Sequence, residues 1–140
     1  MKKNINKYYY RDVTATKIYD GDTITVKIPR EKEIDFGFGF KINIKCGYEN
    51  VKIRLYGINA YEKTKTIKKK VNKNYEKGKE AKKVVKTLIG DKNDRFDLQT
   101  IKDKTGKYGR YLGIIWTGFE RKTCLNDFLV KEGLAIYKKY

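Results

Sequence analysis

The chain has 140 residues and a formal net charge of +17, from 34 Lys and Arg against 17 Asp and Glu. This length is typical of one domain, which buries roughly two thirds of the surface of the unfolded chain, and the hydrophobic content of 39% supports a core. The sequence contains no histidine, and its two cysteines, Cys46 and Cys124, form no CxxC pair. These features exclude the common zinc sites and the Ser-His and Cys-His catalytic arrangements.

The positive charge favours a polyanionic partner. Each phosphate that Lys or Arg neutralises releases condensed counterions, which strengthens binding. A second interpretation is that a lysine-rich composition simply coats the surface, since net charge bears on association rather than on fold. Composition alone leaves both interpretations open.

No apolar run is long enough for a signal peptide or a bilayer span. We therefore expect a cytoplasmic protein with no membrane partner. We also expect the protein to be a monomer.

The first half of the chain predicts strands. Residues 13–20 (VTATKIYD) and 22–28 (DTITVKI) alternate in polarity on either side of Asp20-Gly21, which is a hairpin signal. Residues 40–45 (FKINIK) also alternate, and the glycines at 37 and 39 indicate a bulge or a sharp bend in a curling sheet.

Residues 50–58 (NVKIRLYGI) predict a further strand. Its apolar side chains share one face, so Arg54 should project from the face opposite to the core. Residues 59–78 are rich in lysine and predict an exposed loop.

The second half predicts two helices and two strands. Residues 78–90 have helical periodicity and predict a helix with Gly90 as the C′ residue. Residues 95–102 and 111–117 predict strands joined by a turn, and residues 124–134 predict a helix that ends at Gly133. The residues expected to face the core are Ala81, Val84, Val85 and Leu88 in the first helix, and Leu125, Phe128 and Leu129 in the second. Together these elements predict an α+β fold built on a curled antiparallel sheet.

Four blocks in order resemble the staphylococcal nuclease (thermonuclease) family. They are IYDGDTITV (18–26), IRLYGINAYE (53–62), KTGKYGRYLGIIW (104–116) and CLNDFLVKEGLA (124–135). The resemblance implies a five-stranded OB-fold β-barrel with two packed helices over residues 13–140, after a flexible N-terminal extension of residues 1–12. The family's third helix would be absent, since the sequence ends before it. The resemblance also implies Ca²⁺-dependent cleavage of phosphodiester bonds in DNA, RNA or both.

The resemblance assigns a metal site. Asp22 would be a direct Ca²⁺ ligand, supported by Asp20, with the backbone carbonyl of Ala60 as a further ligand. Asn59 stands where many members have a second aspartate, so Ca²⁺ should bind more weakly or only with substrate. Oxygen ligands suit a hard cation. The alternative is an Asp-Gly turn in which Asp20 bonds its own backbone, but this gives no reason for Asp22.

The resemblance also assigns catalytic residues. Arg54 would stabilise the scissile phosphate, Glu62 would position or deprotonate the attacking water, and Arg110 would stabilise the leaving oxygen. Tyr61 replaces a proline that is usual in the family, so the loop that presents Glu62 should be looser or aimed differently. Taken singly, Arg54 could instead be a solvated strand residue, Glu62 a surface acid, and the Arg110 segment a plain turn.

Nucleic-acid contacts follow from the same comparison. Lys107 and Tyr108 match positions that touch a terminal phosphate, and Tyr137 and Tyr140 lie near a tyrosine-bearing end of the family pattern. The lysine run over residues 63–83 is either a solvated face or an electrostatic funnel that would favour single-stranded substrate.

Two other functions remain open. A catalytically impaired OB-fold domain would bind nucleic acid without cutting it, and Asn59 and Tyr61 favour this alternative. A basic coating protein would need no metal and would leave the four blocks unexplained.

Overall fold

A computed structural model describes residues 1–5, 8–61, 66–67, 70–71, 74–91, 93–105 and 111–138. The elements, in chain order, are β1 (Tyr9–Ile18), β2 (Thr23–Gly37), β3 (Phe40–Leu55), β4 (Ile58–Ala60), β5 (Thr66–Ile67), β6 (Lys70–Val71), α1 (Tyr75–Ile89), β7 (Phe96–Thr105), β8 (Tyr111–Thr117), a 3₁₀ turn (Phe119–Arg121), β9 (Thr123–Cys124), α2 (Leu125–Lys131) and β10 (Ala135–Tyr137).

The longer strands form one sheet in the order β3-β2-β1-β7-β8-β9. Neighbours in this order pair antiparallel, and β3 also pairs with β8 in parallel. The pairings therefore run from β3 through β2, β1 and β7 to β8, and β8 pairs in turn with β3. This mostly-sheet architecture with two helices is compatible with the predicted OB-fold.

The predicted hairpin around Asp20-Gly21 is confirmed, because β1 and β2 pair with Ile18 opposite Ile24. The bulge or sharp bend predicted at the glycines of residues 37 and 39 is confirmed, because the register of β2 with β3 shifts between Asp35 and Gly37 and the chain reverses there. Those residues form the tight turn of a second hairpin, and residues 40–55 form one continuous strand rather than two. The glycines provide the positive φ angles of the turn, 84° at Gly37 and 77° at Gly39.

The predicted loop over residues 59–78 is also wrong in part. It contains the end of β4, the short pair β5–β6 and the first turn of α1. These strands are two or three residues long, which is too short for a periodicity to register. Strand β4 in addition has its partner, β10, far away in the chain.

Helix α1 buries the predicted face. Ala81, Val85 and Ile89 are fully buried, while Val84 and Leu88 pack against the same core from partly buried positions. The helix stops before Gly90, as predicted, and Gly90 has a φ of −85° rather than the left-handed conformation that is common after a helix. Glycine meets a steric need there, because a Cβ at Gly90 would lie 2.6 Å from the Lys86 carbonyl oxygen.

Helix α2 ends as predicted. Gly133 has a φ of 75° and donates its N–H to Val130, and Leu134 donates to Leu129. Leu125 and Leu129 are fully buried, and Phe128 is half-buried. The largest fully buried side chains of the core include Phe96, Ile24, Ile53, Leu55, Ile58, Ile89, Leu98 and Ile115.

In the described part of the chain, none of the helices has the length and apolar character needed to cross a membrane. The division of the chain into residues 1–12 and 13–140 stays a prediction.

Candidate active site

The turn between β1 and β2 fixes the direction of Asp22. The backbone N–H groups of Tyr19 and Asp20 both donate to the Thr23 carbonyl, at 3.0 and 3.3 Å. Asp20 Oδ1 accepts a 3.1 Å bond from the Asp22 N–H, which is the local bond expected of an Asp-Gly turn. Asp20 therefore shapes the turn, and the Asp22 carboxylate is left to face β3 and β4.

Gly21 allows three elements to meet at this turn. A Cβ on Gly21 would lie 2.7 Å from Ala81 Cβ on α1 and 2.9 Å from Ala60 Cβ on β4. Real Cβ atoms do not approach others so closely, so only glycine admits this packing. The absence of a side chain at residue 21 thus places Ala60 beside Asp22.

Asp22 is a shielded carboxylate, with 14% of its side chain exposed. Its Oδ2 accepts a 3.1 Å hydrogen bond from the Ala60 N–H and lies 3.7 Å from Arg54 Nη2. Burial, and secondly the neighbouring Asp20, raise the pKa of Asp22 to about 6, although Arg54 and the Ala60 N–H act in the opposite direction. The site therefore disfavours a bare negative charge at Asp22.

Arg54 lies on β3 opposite Thr23 of β2. As predicted, its side chain points away from the core that contains Ile53 and Leu55. Only 12% of it is exposed, however, so it is not a solvated strand residue. Its Nη1 donates to the Ile58 carbonyl at 3.4 Å, and its Nη2 donates to Asn59 Oδ1. The guanidinium is thus held in one orientation.

The segment that carries Asn59 and Ala60 is held from the far end of the chain. Strand β4 pairs antiparallel with β10, with Asn59 opposite Ile136 and Ala60 opposite Ala135. The Tyr61 N–H donates to the Leu134 carbonyl at 3.3 Å. Tyr61, which stands where the resemblance leads one to expect proline, is therefore bonded to the residue just before β10.

The residues around Asp22 have the chemistry of a calcium site. Asp20, Asp22, Asn59 and the Ala60 carbonyl all supply oxygen, the ligand that Ca²⁺ requires. A cation would also relieve the unfavourable charge that raises the pKa of Asp22. Asn59 is the weakest member, because its Oδ1 accepts from Arg54. Within the described residues, no group of three or more His, Cys, Asp or Glu side chains is placed to hold a metal, so backbone, amide or solvent oxygens would have to complete the shell.

A comparison with models of protein families shows to which family the chain belongs. The family model described as staphylococcal nuclease homologue matches residues 52–140, which is more than half of the chain. The chain belongs to this family. The match contains Arg54, Asn59 and Ala60, whereas Asp20 and Asp22 precede it. No curated protein matches the chain.

The structure does not describe all of the residues predicted for the site. Glu62, Lys107, Tyr108, Arg110 and Tyr140 lie outside the described residues. The structure therefore brings together Asp20, Asp22, Arg54, Asn59 and Ala60.

Tyr137 lies on β10, next to Ile136, which pairs with Asn59 of the site. Its ring is 62% exposed, and its hydroxyl donates a 3.1 Å hydrogen bond to Asp127. That bond is the main cause of the raised pKa of Tyr137. The exposed ring leaves a face open for stacking, and the hydroxyl is already engaged.

The sequence analysis did not identify one residue that holds the segments around the site in place. Asn126 is fully buried on α2, where its Oδ1 accepts from the Ile115 N–H at 3.2 Å. Its Nδ2 donates to the carbonyls of Tyr56 and Gly113, at 2.8 and 3.1 Å. It therefore ties α2 and β8 to the loop between Arg54 and Asn59. An amide three residues before the inward-facing Leu129 was the signal that could have revealed it.

Proposed function

We propose that this protein is a Ca²⁺-dependent, sugar-nonspecific nuclease that hydrolyses phosphodiester bonds in DNA, RNA or both. The observation that carries the proposal is the shielded pair of Asp22 and Arg54 beside Asn59 and Ala60, in a member of the staphylococcal nuclease homologue family. The series of pairings from β3 through β2, β1 and β7 to β8, which pairs with β3 again, supports an OB-fold barrel as the scaffold.

Arg54 would bind the scissile phosphate. A guanidinium donates two parallel hydrogen bonds to phosphate oxygens and keeps its charge at any pH of interest. Its low exposure reduces solvent screening, and its bonds to Ile58 and Asn59 orient it before substrate arrives. Such a preorganised donor stabilises charge that develops in the transition state.

Asp22, Asp20 and the Ala60 carbonyl would hold the cation. When bound, Ca²⁺ would polarise the phosphate and favour ionisation of a bound water. Asn59 would contribute an uncharged oxygen, which should weaken binding in the absence of substrate.

The remaining roles rest on the family resemblance. Glu62 would align or deprotonate the attacking water, and Arg110 would stabilise the leaving oxygen. Lys107 and Tyr108 would contact the terminal phosphate of the substrate. The exposed Tyr137 ring, with Tyr140, would stack on bases, which suits a single-stranded substrate.

One observation favours a second candidate, a nucleic-acid-binding domain with impaired catalysis. Asn59 Oδ1 and Arg54 Nη2 are bonded to each other, so neither group is free in this arrangement. Substrate would have to compete for the guanidinium, and a residue without charge replaces the second aspartate.

Cleavage of end-labelled single-stranded and duplex DNA, in calcium and in chelator, tests the proposal. We expect calcium-dependent cutting that collapses in Glu62→Gln. Salt-sensitive binding without cutting at millimolar calcium would contradict the nuclease and favour the binding domain. Asn59→Asp would then show whether a restored carboxylate recovers cleavage.

A further inference from the structure

The outer part of the β2–β3 hairpin, residues 30–49, forms an arm with almost no contact with the core. Every residue of the arm is exposed except Ile34, which is half-buried. Two-stranded hairpins are marginally stable alone in water, and this one exposes large apolar side chains. It is the most conspicuous feature that the proposed nuclease does not explain.

The pairing register sorts the arm into two faces. Glu31 pairs with Lys45, Glu33 with Asn43 and Asp35 with Lys41, so one face is polar. The other face follows from the intervening pairs and is mainly apolar: Ile34 pairs with Ile42, Lys32 pairs with Ile44, and the Phe36 and Phe40 rings contact each other with centroids 5.6 Å apart. The arm is therefore an amphipathic ribbon with an uncovered apolar face.

The charged face turns toward the body of the protein. Glu31 and Lys45 line a cavity of about 1250 Å³ together with Tyr10 and Thr14 of β1 and Arg95. No apolar residue of the other arm face lines this cavity. The apolar face is thus directed away from the domain, where another molecule can reach it.

The tip of the arm adds an exposed ring at a conformational cost. Phe38 has a φ of 55° in the turn and is 109% exposed. A bulky residue in the left-handed region is unfavourable, and turns of this kind prefer Asn-Gly. Strained positions of this kind cluster at binding sites, so the exposed Phe38 ring motivates a search for a partner.

The charge of the arm argues against a polyanionic partner. Its cations are Arg30, Lys32, Lys41 and Lys45, and its anions are Glu31, Glu33, Asp35 and Glu49, so the arm is electrically neutral within a chain of net charge +17. Nucleic acid and anionic membranes are attracted by excess positive charge. Two copies of a strongly cationic chain, by contrast, approach with least repulsion through their neutral parts.

The size of the exposed surface is sufficient for association. Phe36, Phe38 and Phe40 are 57%, 109% and 59% exposed, which is about 450 Å² of aromatic surface if a full ring side chain has ~200 Å². Exposed apolar patches of a few hundred Å² mark interaction sites. With Ile42 and Ile44, two such faces approach the roughly 1,000 Å² that a specific interface requires.

We propose that the apolar face of the arm docks on the same face of a second copy of this chain, giving a twofold symmetric dimer. In such a dimer the same isoleucine and phenylalanine side chains of the two copies meet across the symmetry axis, so the apolar face of each arm covers the apolar face of the other. This inference replaces the expectation of a monomer and does not depend on nuclease activity.

Sedimentation equilibrium of the purified chain tests the inference. We expect a monomer–dimer equilibrium that higher salt shifts toward dimer, because salt screens the repulsion between the cationic bodies. Phe36→Ser with Phe40→Ser should raise the dissociation constant by about tenfold or more. Phe119→Ser is the matched control, since Phe119 is 84% exposed outside the arm and should leave the equilibrium unchanged.

The result that overturns the inference is a monomer at all concentrations up to about 0.5 mM, where a weak specific interface would still associate. Equal loss of dimer in the Phe119→Ser control would overturn it too. So would monomers that bind neutral phosphatidylcholine vesicles through Phe36 and Phe40, because the occupant would then be a lipid surface. Spin labelling of Cys46, which is exposed whereas Cys124 is buried, gives a second measurement. A dimer predicts a dipolar coupling between labels that vanishes in the double arm variant.

Discussion

Replacing Gly21 with alanine tests how closely the turn that carries Asp20 and Asp22 is packed. The new Cβ would lie 2.7 Å from Ala81 Cβ and 2.9 Å from Ala60 Cβ, whereas carbon atoms normally approach to about 3.5–4.0 Å. Neither methyl group can rotate away, so α1 and β4 must separate from the turn by about 1 Å. The φ angle of Gly21 lies outside the left-handed region, so crowding is the dominant effect.

We expect Gly21→Ala to lower the free energy of unfolding by about 2–3 kcal/mol, in the upper part of the range for overpacked cores. The corresponding fall in Tm is roughly 5–10 °C for a chain of this size. Urea unfolding followed by fluorescence of Trp116, the one tryptophan and only 6% exposed, gives this free energy.

A double-mutant cycle with Ala81→Gly isolates the contact. Ala81→Gly alone should cost about 1 kcal/mol as a glycine in a helix interior. In the double variant the shortest contact is relieved, so the two costs should sum to more than the observed loss by about 1 kcal/mol or more. Additive losses, or a neutral Gly21→Ala, would refute the packing at this turn.

Three further perturbations probe the site and its supports. Asn126→Ala should lower the free energy of unfolding by about 2–4 kcal/mol, because it removes from a buried site the hydrogen bonds that the amide makes with the Ile115 N–H and with the Tyr56 and Gly113 carbonyls; chemical unfolding measures it, and a loss below 1 kcal/mol would contradict the role of the amide. The folded state raises the pKa of Asp22 from 3.8 to about 6, so its contribution to stability is present below pH 3.8 and is lost as the pH rises through 6. In chelator, wild type should therefore lose up to about 3 kcal/mol relative to the non-titrating Asp22→Asn between pH 4 and pH 7, and a constant difference across that range would refute this. Tyr137→Phe should leave affinity for a single-stranded oligonucleotide unchanged, whereas Tyr137→Ala should lower it by about 1–3 kcal/mol; equal losses in fluorescence anisotropy would assign the effect to the hydroxyl instead.

Periodicity predicted much of the frame of the site correctly. Alternation around Asp20-Gly21 located the first hairpin, and alternation over residues 50–58 correctly directed Arg54 away from the core. Helical spacing identified the buried face of α1. These are local patterns, in which each residue's environment is set by neighbours a few positions away.

Long-range contacts could not be predicted in this way. Strand β4 exists because residues 58–60 pair with residues 135–137, and no local window joins them. The shielding of Arg54 depends on that pairing, as does the bond between Tyr61 and Leu134. The glycines at 37 and 39 correctly indicated a bulge or a sharp bend, but not that this bend is the turn of a hairpin, because a bulge and a tight turn share the same residue preference. The distinction depends on the register of β2 with β3.

Single-turnover cleavage of a labelled single-stranded oligonucleotide, by wild type and by Arg54→Lys in saturating calcium, tests whether the oriented guanidinium of Arg54 serves a calcium-dependent nuclease. Lysine keeps the charge but loses the planar pair of donors that Ile58 and Asn59 orient. We expect calcium-dependent cleavage by wild type, and a rate reduced by about 10²-fold or more in Arg54→Lys with oligonucleotide affinity nearly unchanged. Equal rates in the two proteins, or no calcium-dependent cleavage by wild type, would contradict this expectation.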